Sequence, residues 1–375
     1  MSLAPRPWHA PVEAVLLPVL ALAAALQLFG VFVWFDGKSP LDTWVLLFQG
    51  AFGDAFSWQN TLQRAAPLML TALAVALPAR AGLTVIGGEG ALVLGALGCA
   101  ALPYAVPLPE NALGTAFILA AGAMLGAAWV ALAGALRQWR GVNETISSLL
   151  LSYIAIAVFK HLVEGPLRDP ASLNKPSTHT LAEGLRIGPI MGQAGADSWL
   201  GDVHWGLILG LVLCVLVGLW LSLTPAGFAL RVVGGNARAA RLVGLPADQL
   251  IVLSCAAGGA CAGLAGAVEV AAVHQSANAS VIAGLGYTGI LVAFVARHNP
   301  WAIAPVALLF GGFAASGSLL QRRLGLPDAS VLVLQGFAFV MILAAEALRG
   351  KLLAWLLQPV WLDEPAAAAP NANVS

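Results

Sequence analysis

Two carboxylates stand alone in apolar surroundings, and they are the side chains best placed to act on a solute. Glu89 lies in GLTVIGGEGALVLGA, with glycines at 87, 88 and 90. Glu269 lies in AGAVEVAAVHQ and is the only acidic or basic charge between Asp248 and Arg297. A carboxylate inside lipid is costly, so such residues default to functional candidates. A helix broken at the glycines before Glu89 would turn backbone donors and one carboxylate toward a cavity. A favourable seat near a helix N-terminus is the plainer use of the same residue. Glu269 falls near the end of its apolar run, where reaching the interface is cheap. Tyr153 and Tyr287, two of the three tyrosines, also lie in apolar runs. They would stack on a ring-bearing solute, although core packing is the commoner use of such residues.

A different chemistry is written in residues 231–249, RVVGGNARAARLVGLPADQ. Apolar runs flank this stretch, and it is itself too polar for lipid. Asn236 can cap a helix N-terminus by accepting a backbone N–H. Gly244 can take the left-handed position that ends a helix, and Pro246 prevents continuation. The pattern predicts a short, separately capped helix between two membrane spans. Arg238 and Arg241 share one side, and Ala239, Ala240, Leu242 and Val243 offer an apolar surface to a partner. A basic loop that merely separates two helices is the plain alternative.

Other chemistries are excluded or unsupported. No GxxxxGK[ST] occurs, so the chain lacks that route to a nucleotide triphosphate. Gly284–Gly289 spells GxGxxG, but no strand precedes it and its surroundings are apolar, so close helix packing explains it better. The six histidines are scattered, with no HExxH, and no metal site or cofactor is expected. Cys99, Cys214, Cys255 and Cys261 all lie in apolar runs without metal spacing and read as small buried hydrophobes. Asn143-Glu-Thr145 and Asn278-Ala-Ser280 match the glycosylation sequon, a frequent accidental match.

The elements that must position these residues follow from hydropathy. The chain is 59% hydrophobic and only 10% charged, with mean hydropathy +0.86. A soluble protein carries about a quarter charged residues; here lipid must cover the surface instead. Basic and acidic residues balance at 18 each, which argues for no polyanionic partner and no nucleic acid. The reading is an all-α, polytopic membrane helix bundle of about ten spans, with room for a broken or re-entrant helix. The spans expected are 14–35, 65–79, 83–102, 112–136, 145–163, 204–223, 250–273, 280–296, 301–320 and 329–348, the second and eighth being short. Segment 41–60, broken by Asp54 and Gln59, reads as interfacial or half-inserted rather than spanning.

Basic residues set the expected orientation. Arg6, Arg80, Arg137, Arg140, Arg231, Arg238, Arg241, Arg297, Arg349 and Lys351 fall on one side, which positive-inside makes cytoplasmic, with both termini in. Arg322 and Arg323 fall on the other side, so that turn either violates the rule or the eighth segment re-enters. The expected organisation is a cytoplasmic N-terminus (1–13), a transmembrane domain (14–350) and a cytoplasmic tail (351–375). The domain carries an outer loop at 164–203 and a cytoplasmic loop at 224–249. Glu346 and Arg349 are expected to pair at i, i+3. Gly122/Gly126, Gly206/Gly210 and Gly259/Gly263 have the GxxxG spacing of closely packed helices.

Four stretches together carry a family resemblance. They are GGEGALVLGA, GVNETISSLLLSYIA, GGNARAARLVGLPADQLIVLSCAAGGACAGLAGAVEV, and GLGYTGILVAFVARHNPWAIAPVALLFGG followed by LQRRLGLPDASVLVLQG. In order and spacing they resemble the permeases of binding-protein-dependent ABC importers, in the ribose and branched-chain amino acid group. NETISSLLLSYIA with GPLRDP at 165–170 looks nearest to the nucleoside or simple-sugar uptake permeases. The resemblance covers about 60–350. It implies a second homologous permease, two ATP-binding cassette subunits and a periplasmic or lipid-anchored solute-binding protein. It also implies that 235–249 is the coupling helix seated in the ATPase, through Gly235, Asn236, Arg238, Ala240, Arg241 and Gly244. Where that family usually carries two amides, this chain has Val85 and Ala91; if those positions face the solute path, the substrate differs from that of typical members.

The function expected is therefore ATP-driven import of a nucleoside or related solute through the inner membrane of a bacterium, with hydrolysis in partner chains and none here. Glu89, Tyr153, Glu269 and Tyr287 are the expected path residues. A sugar or branched-chain amino acid is the alternative cargo. An ion-coupled transporter would need a denser set of buried charges. An intramembrane enzyme would need a cluster of catalytic groups on one membrane face.

Overall fold

A computed structural model describes residues 9–192 and 200–347, with side chains described from residue 16 onward. In chain order the helices are α1 (His9–Phe35), α2 (Pro40–Phe52), α3 (Ala55–Arg80), α4 (Gly88–Ala105), α5 (Ala112–Arg140), α6 (Glu144–Glu164) and α7 (Gly206–Leu223). They continue as α8 (Pro225–Gly235), α9 (Ala237–Leu242), α10 (Ala247–Val268), α11 (Leu285–Val295), α12 (Pro300–Leu324) and α13 (Ala329–Ala347). A π-helical turn, Glu269–His274, extends α10. Among the described residues nine helices are long and apolar enough to cross a membrane. This is the expected polytopic all-α membrane bundle. The expected Glu346–Arg349 pair and the segment beyond 347 lie outside the described residues.

The chain divides into two compact units, 1–28 with 336–375, and 29–335. The described part of the smaller unit is two apolar helical lengths, from α1 and α13, in which Leu17, Ala21, Ala25, Ala338 and Ile342 are buried. The larger unit holds every residue of the candidate site.

Small residues set the centre of the larger unit. A Cβ on Gly126 of α5 would run into the Gly259 carbonyl of α10, and one on Gly263 of α10 into the Gly122 carbonyl of α5. On α4, a Cβ at Gly95 would strike Gly263. Two of the predicted GxxxG pairs thus face each other. Lipid tails are as apolar as leucine, so close backbone contact supplies the attraction here. Gly210 of the third pair packs on Met69 and the Ala66 carbonyl of α3 at 3.3–3.4 Å. All four cysteines are buried and free.

Three boundaries differ from expectation. α3 starts at Ala55, because the Asp54 carboxylate caps it at 2.6 Å from Ser57 N and Gln59 is buried within it. The second span is therefore 26 residues, not short. α2, at 13 residues, reaches only ~20 Å and does not span, as expected of that segment. The third span begins as a helix only at Gly88; residues 83–87 are non-helical, with Gly87 in a turn. The eighth is helical only from Leu285, and its 11 residues cover ~17 Å. Between the π-helical turn and α11 the chain is irregular save for one turn, Ala279–Val281.

The two irregular segments are related. Residues 84–90 read TVIGGEG and residues 280–286 read SVIAGLG, and each leads into a helix N-terminus. Tyr104, near the end of α4, lies against the 165–203 loop through its hydroxyl and His179 N at 3.0 Å. The end of α11 lies at the opposite end of the unit, where the Arg80 guanidinium donates to the His298 carbonyl at 2.7 and 3.2 Å. α4 and α11 therefore run in opposite directions from a shared starting level. Gly286 backs directly onto the Gly88–Glu89 backbone. This is the arrangement of inverted repeats that meet as broken helices. The turns after α5 and α12 match in the same way: each ends in two arginines and a left-handed glycine, Gly141 and Gly325. Arg322 and Arg323, the exceptions to the basic-residue pattern, sit where α12 carbonyls favour cations and share a hollow with Asp54.

Candidate solute path and coupling helix

The site begins where the two broken helices meet. Glu89 is fully buried. Its Oε1 accepts from Gly284 N at 2.9 Å and its Oε2 from Gly286 N at 2.7 Å. Each helix N-terminus carries roughly half a positive charge, so one carboxylate between two of them answers both. Gly284, with φ +75°, caps α11 and has no side chain to do so itself; Glu89 supplies the missing acceptor from another helix. The expectation that Glu89 opens onto a cavity is corrected: its oxygens are spent on backbone donors. A helix N-terminus does hold it, but a distant one as well as its own.

α6 props the irregular segment before Glu89. Asn143 caps α6 by accepting from Thr145 N and Ile146 N. The Thr145 hydroxyl donates to the Thr84 carbonyl at 2.7 Å, and Ile86 N donates to Ser148 Oγ at 3.1 Å. A Cβ on Gly90 would strike the Ser152 backbone. Positions 145, 148 and 152 fall on one helical stripe, so NETISSLLLSY is largely the cradle of residues 84–90. The next residue, Tyr153, is 60% exposed and Tyr287 is 37% exposed. Tyr287 lies within electrostatic reach of both Glu89 and Tyr153, so the structure brings these three candidates together. Val85 and Ala91, in place of amides, are both buried; they are packing positions and say nothing about cargo.

Glu269 has other partners. It is buried rather than interfacial, opens the π-helical turn, and faces His274 Nε2 at 3.6 Å. Arg64 of α3 is its electrostatic neighbour. Arg64 also lines a hollow with Thr288, Ser318, Asp328 and Gln335. None of these five stood out in sequence. Arg64 fell between the segment read as interfacial (41–60) and the expected second span (65–79), and the pairing of residues 84–90 with 280–286 was the available signal for Thr288.

The stretch 224–249 folds as two short helices rather than one. Thr224 caps α8 through Gly227 N at 3.1 Å, and Asn236 ends α8 and starts α9. Its side chain accepts from Arg238 N and Ala239 N at 3.0 and 3.1 Å. Gly244 has φ +83°, as its place after α9 predicts. Gly235 is exposed at the junction. Ala240 is buried, so it seats α9 on its own chain and is not part of the outward apolar strip. Leu242 and Val243 are, at 89% and 73% exposed. Arg238 is exposed, while Arg241 is engaged with Asp248 at 2.6 Å.

A family model described as "Branched-chain amino acid transport system / permease component" matches residues 57–345. The chain belongs to this permease family. It is a multi-pass membrane permease. It is 32% identical over 332 residues to the glucose ABC transporter permease protein TsgB13 of Haloferax volcanii, covering 88% of this chain and 87% of the relative. It is 28% identical over 343 residues to the guanosine ABC transporter permease protein NupP of Bacillus subtilis, covering 90% and 96%. It is 26% identical over 297 residues to the nucleoside ABC transporter permease protein NupB of Lactococcus lactis, covering 79% and 82%. The permease subunit of an ABC transporter inferred from GGEGALVLGA, NETISSLLLSYIA and the α9 stretch thus stands.

Proposed function

We propose that this permease imports a nucleoside or related hydroxylated ring solute by ATP-driven alternating access. A second homologous permease completes the path, two ATP-binding cassette subunits hydrolyse ATP, and a periplasmic or lipid-anchored binding protein delivers solute. The complex sits in the plasma membrane of a bacterium. Both termini and 224–249 face the cytoplasm, and 164–203 faces outside. α9 is the seat of the ATPase: Leu242 and Val243 pack, Arg238 and the Arg241–Asp248 pair orient, and Ala240 with Gly244 hold the helix in place. Glu89 acts by locking the two broken helices, and Tyr153 and Tyr287 beside it face the solute. Glu269 belongs to a separate group with Arg64 and His274.

The observation carrying the solute class is that glucose, guanosine and nucleosides, named for relatives spanning most of this chain, share a hydroxylated ring. The glucose relative favours a sugar as the second reading. Reconstituting the chain with its partner subunits and binding protein in vesicles, and measuring ATP-dependent uptake of guanosine, glucose and leucine, tests both. Uptake of leucine alone would overturn the solute class. Uptake driven by an ion gradient without ATP would overturn the coupling.

A further inference from the structure

The hollow between α3, α11, α12 and α13 has a volume of about 320 Å³, within the ~300–1,000 Å³ range of small-molecule sites. Its polar groups come from four separate helices or their caps, and most are unspent. One end of the Gln335 amide meets the Thr288 hydroxyl at 3.2 Å; the other bonds to no described group. Asp328 lies over Gly317, where a Cβ would stand 3.1 Å from its Oδ1, and its carboxylate has no hydrogen bond or ion pair among the described residues. The Arg64 guanidinium likewise has none among the described residues, although it lies within electrostatic reach of Glu269. Arg64 lies nine residues inside α3, ~14 Å from the helix start, and is exposed there. The adjacent Gln63 amide donates to the Asp202 carbonyl of the 165–203 loop at 2.7 Å, so the hollow opens near that loop.

The lining has one cation, one carboxylate, an amide and hydroxyls. The two charges cancel but do not pair, which suits a neutral solute with many donors and acceptors. Leu68, Leu285 and Leu332 add an apolar wall. The lower lining, Ala283, Leu285 and Thr288, is continuous with the junction at Glu89 and Tyr287.

Resting on the solute class proposed above, we infer that this hollow is a solute station that reads a vicinal diol. Asp328 accepts from the two adjacent hydroxyls, as a carboxylate with several lone pairs can. Gln335 and Arg64 donate to ring or hydroxyl oxygens, and the leucines hold the ring face. A site built to bond a hydroxyl rejects the analogue that lacks it, because its own polar group is then left unpaired.

The test uses the full reconstituted complex and paired solutes, guanosine with 2′-deoxyguanosine and glucose with 2-deoxyglucose. Wild type should prefer the diol member of the pair it carries. Asp328→Asn should lower uptake of that member roughly tenfold or more and abolish the preference. Gln335→Leu should raise the half-saturating concentration with little change in maximal rate. Solute-free ATP hydrolysis and co-purification of the partner subunits should stay at wild-type values in both variants. Wild-type uptake and preference in both variants would overturn the inference. So would an equal loss for both members of a pair together with reduced solute-free hydrolysis, since that marks a structural role. A wild-type complex that carries leucine and neither guanosine nor glucose would instead overturn the solute class on which the inference rests, as Arg64 and Asp328 would then fit a zwitterion.

Discussion

The carboxylate of Glu89 and the amide nitrogen of Gly286 meet at 2.7 Å across 197 positions of chain. That bond, with its partner at Gly284, ties the start of α4 to the start of α11. Glu89→Ala leaves two buried N–H groups without a charged acceptor, which should cost about 2–4 kcal/mol. The thermal midpoint in detergent should fall and transport should fall with it. A purified variant that melts at the wild-type temperature would show that the carboxylate does not hold the junction.

The exposed side of α9 should matter to assembly and not to folding. Leu242 is solvent-covered, so Leu242→Ser should change fold stability by no more than about 0.5 kcal/mol while weakening co-purification of the ATPase. Arg241→Glu breaks the contact with Asp248 and reverses a rim charge, which costs association more than stability. Gly244→Val should do more than either, because a β-branched residue resists φ +83°. Wild-type co-purification and coupling in all three would return α9 to a plain connecting helix.

Gly263 faces Gly122 and Gly126 with no room for a side chain. Gly263→Val must push α5 and α10 apart, and overpacking against backbone costs about 1–3 kcal/mol or more. The yield of monodisperse protein should drop sharply, whereas Gly141→Ala, with open space around it but φ +67°, should be milder. Equal yields would contradict the packing described.

His204 gives a pH dependence. Its Nδ1 accepts from Gly206 N at 3.1 Å, and burial pushes its pKa down from 6.5 to about 4. The folded state holds the neutral ring, while the unfolded chain takes a proton near 6.5. The stabilisation is therefore complete above pH 6.5 and erodes as pH falls toward 4. The thermal midpoint should drop between pH 7 and pH 5, and His204→Gln should flatten that drop. An unchanged slope in the variant would assign the acid sensitivity elsewhere.

Sidedness is tested by labelling. Leu173, in the 165–203 loop, is highly exposed, and Leu242 is exposed at the other end. A membrane-impermeant thiol reagent added outside intact cells should reach Leu173→Cys and not Leu242→Cys, the native cysteines being buried. The reverse pattern would invert the proposed orientation.

The sequence by itself determined what depends on neighbours along the chain. Apolar runs such as 112–136 and 204–223 had to be membrane helices, because lipid leaves backbone groups no other partner. The ends of α9 were legible because a cap acts within two or three residues, as Asn236 does on Arg238 N and Ala239 N. The glycine pairs announced close packing. Tertiary structure alone decided what lies between segments far apart in sequence. Glu89 reads the same whether it faces water or a helix end; only the arrival of Gly284 and Gly286 makes it a lock. Gln59 looked interfacial, and Arg64 fell between that segment and the second span, because hydropathy averages over a helix and cannot see which residues of α3 are buried and which line a hollow. Ala240 looked like outward surface because a single turn of helix does not reveal which side its own chain will cover. Those outcomes rest on long-range contacts, whose partners a local pattern does not name.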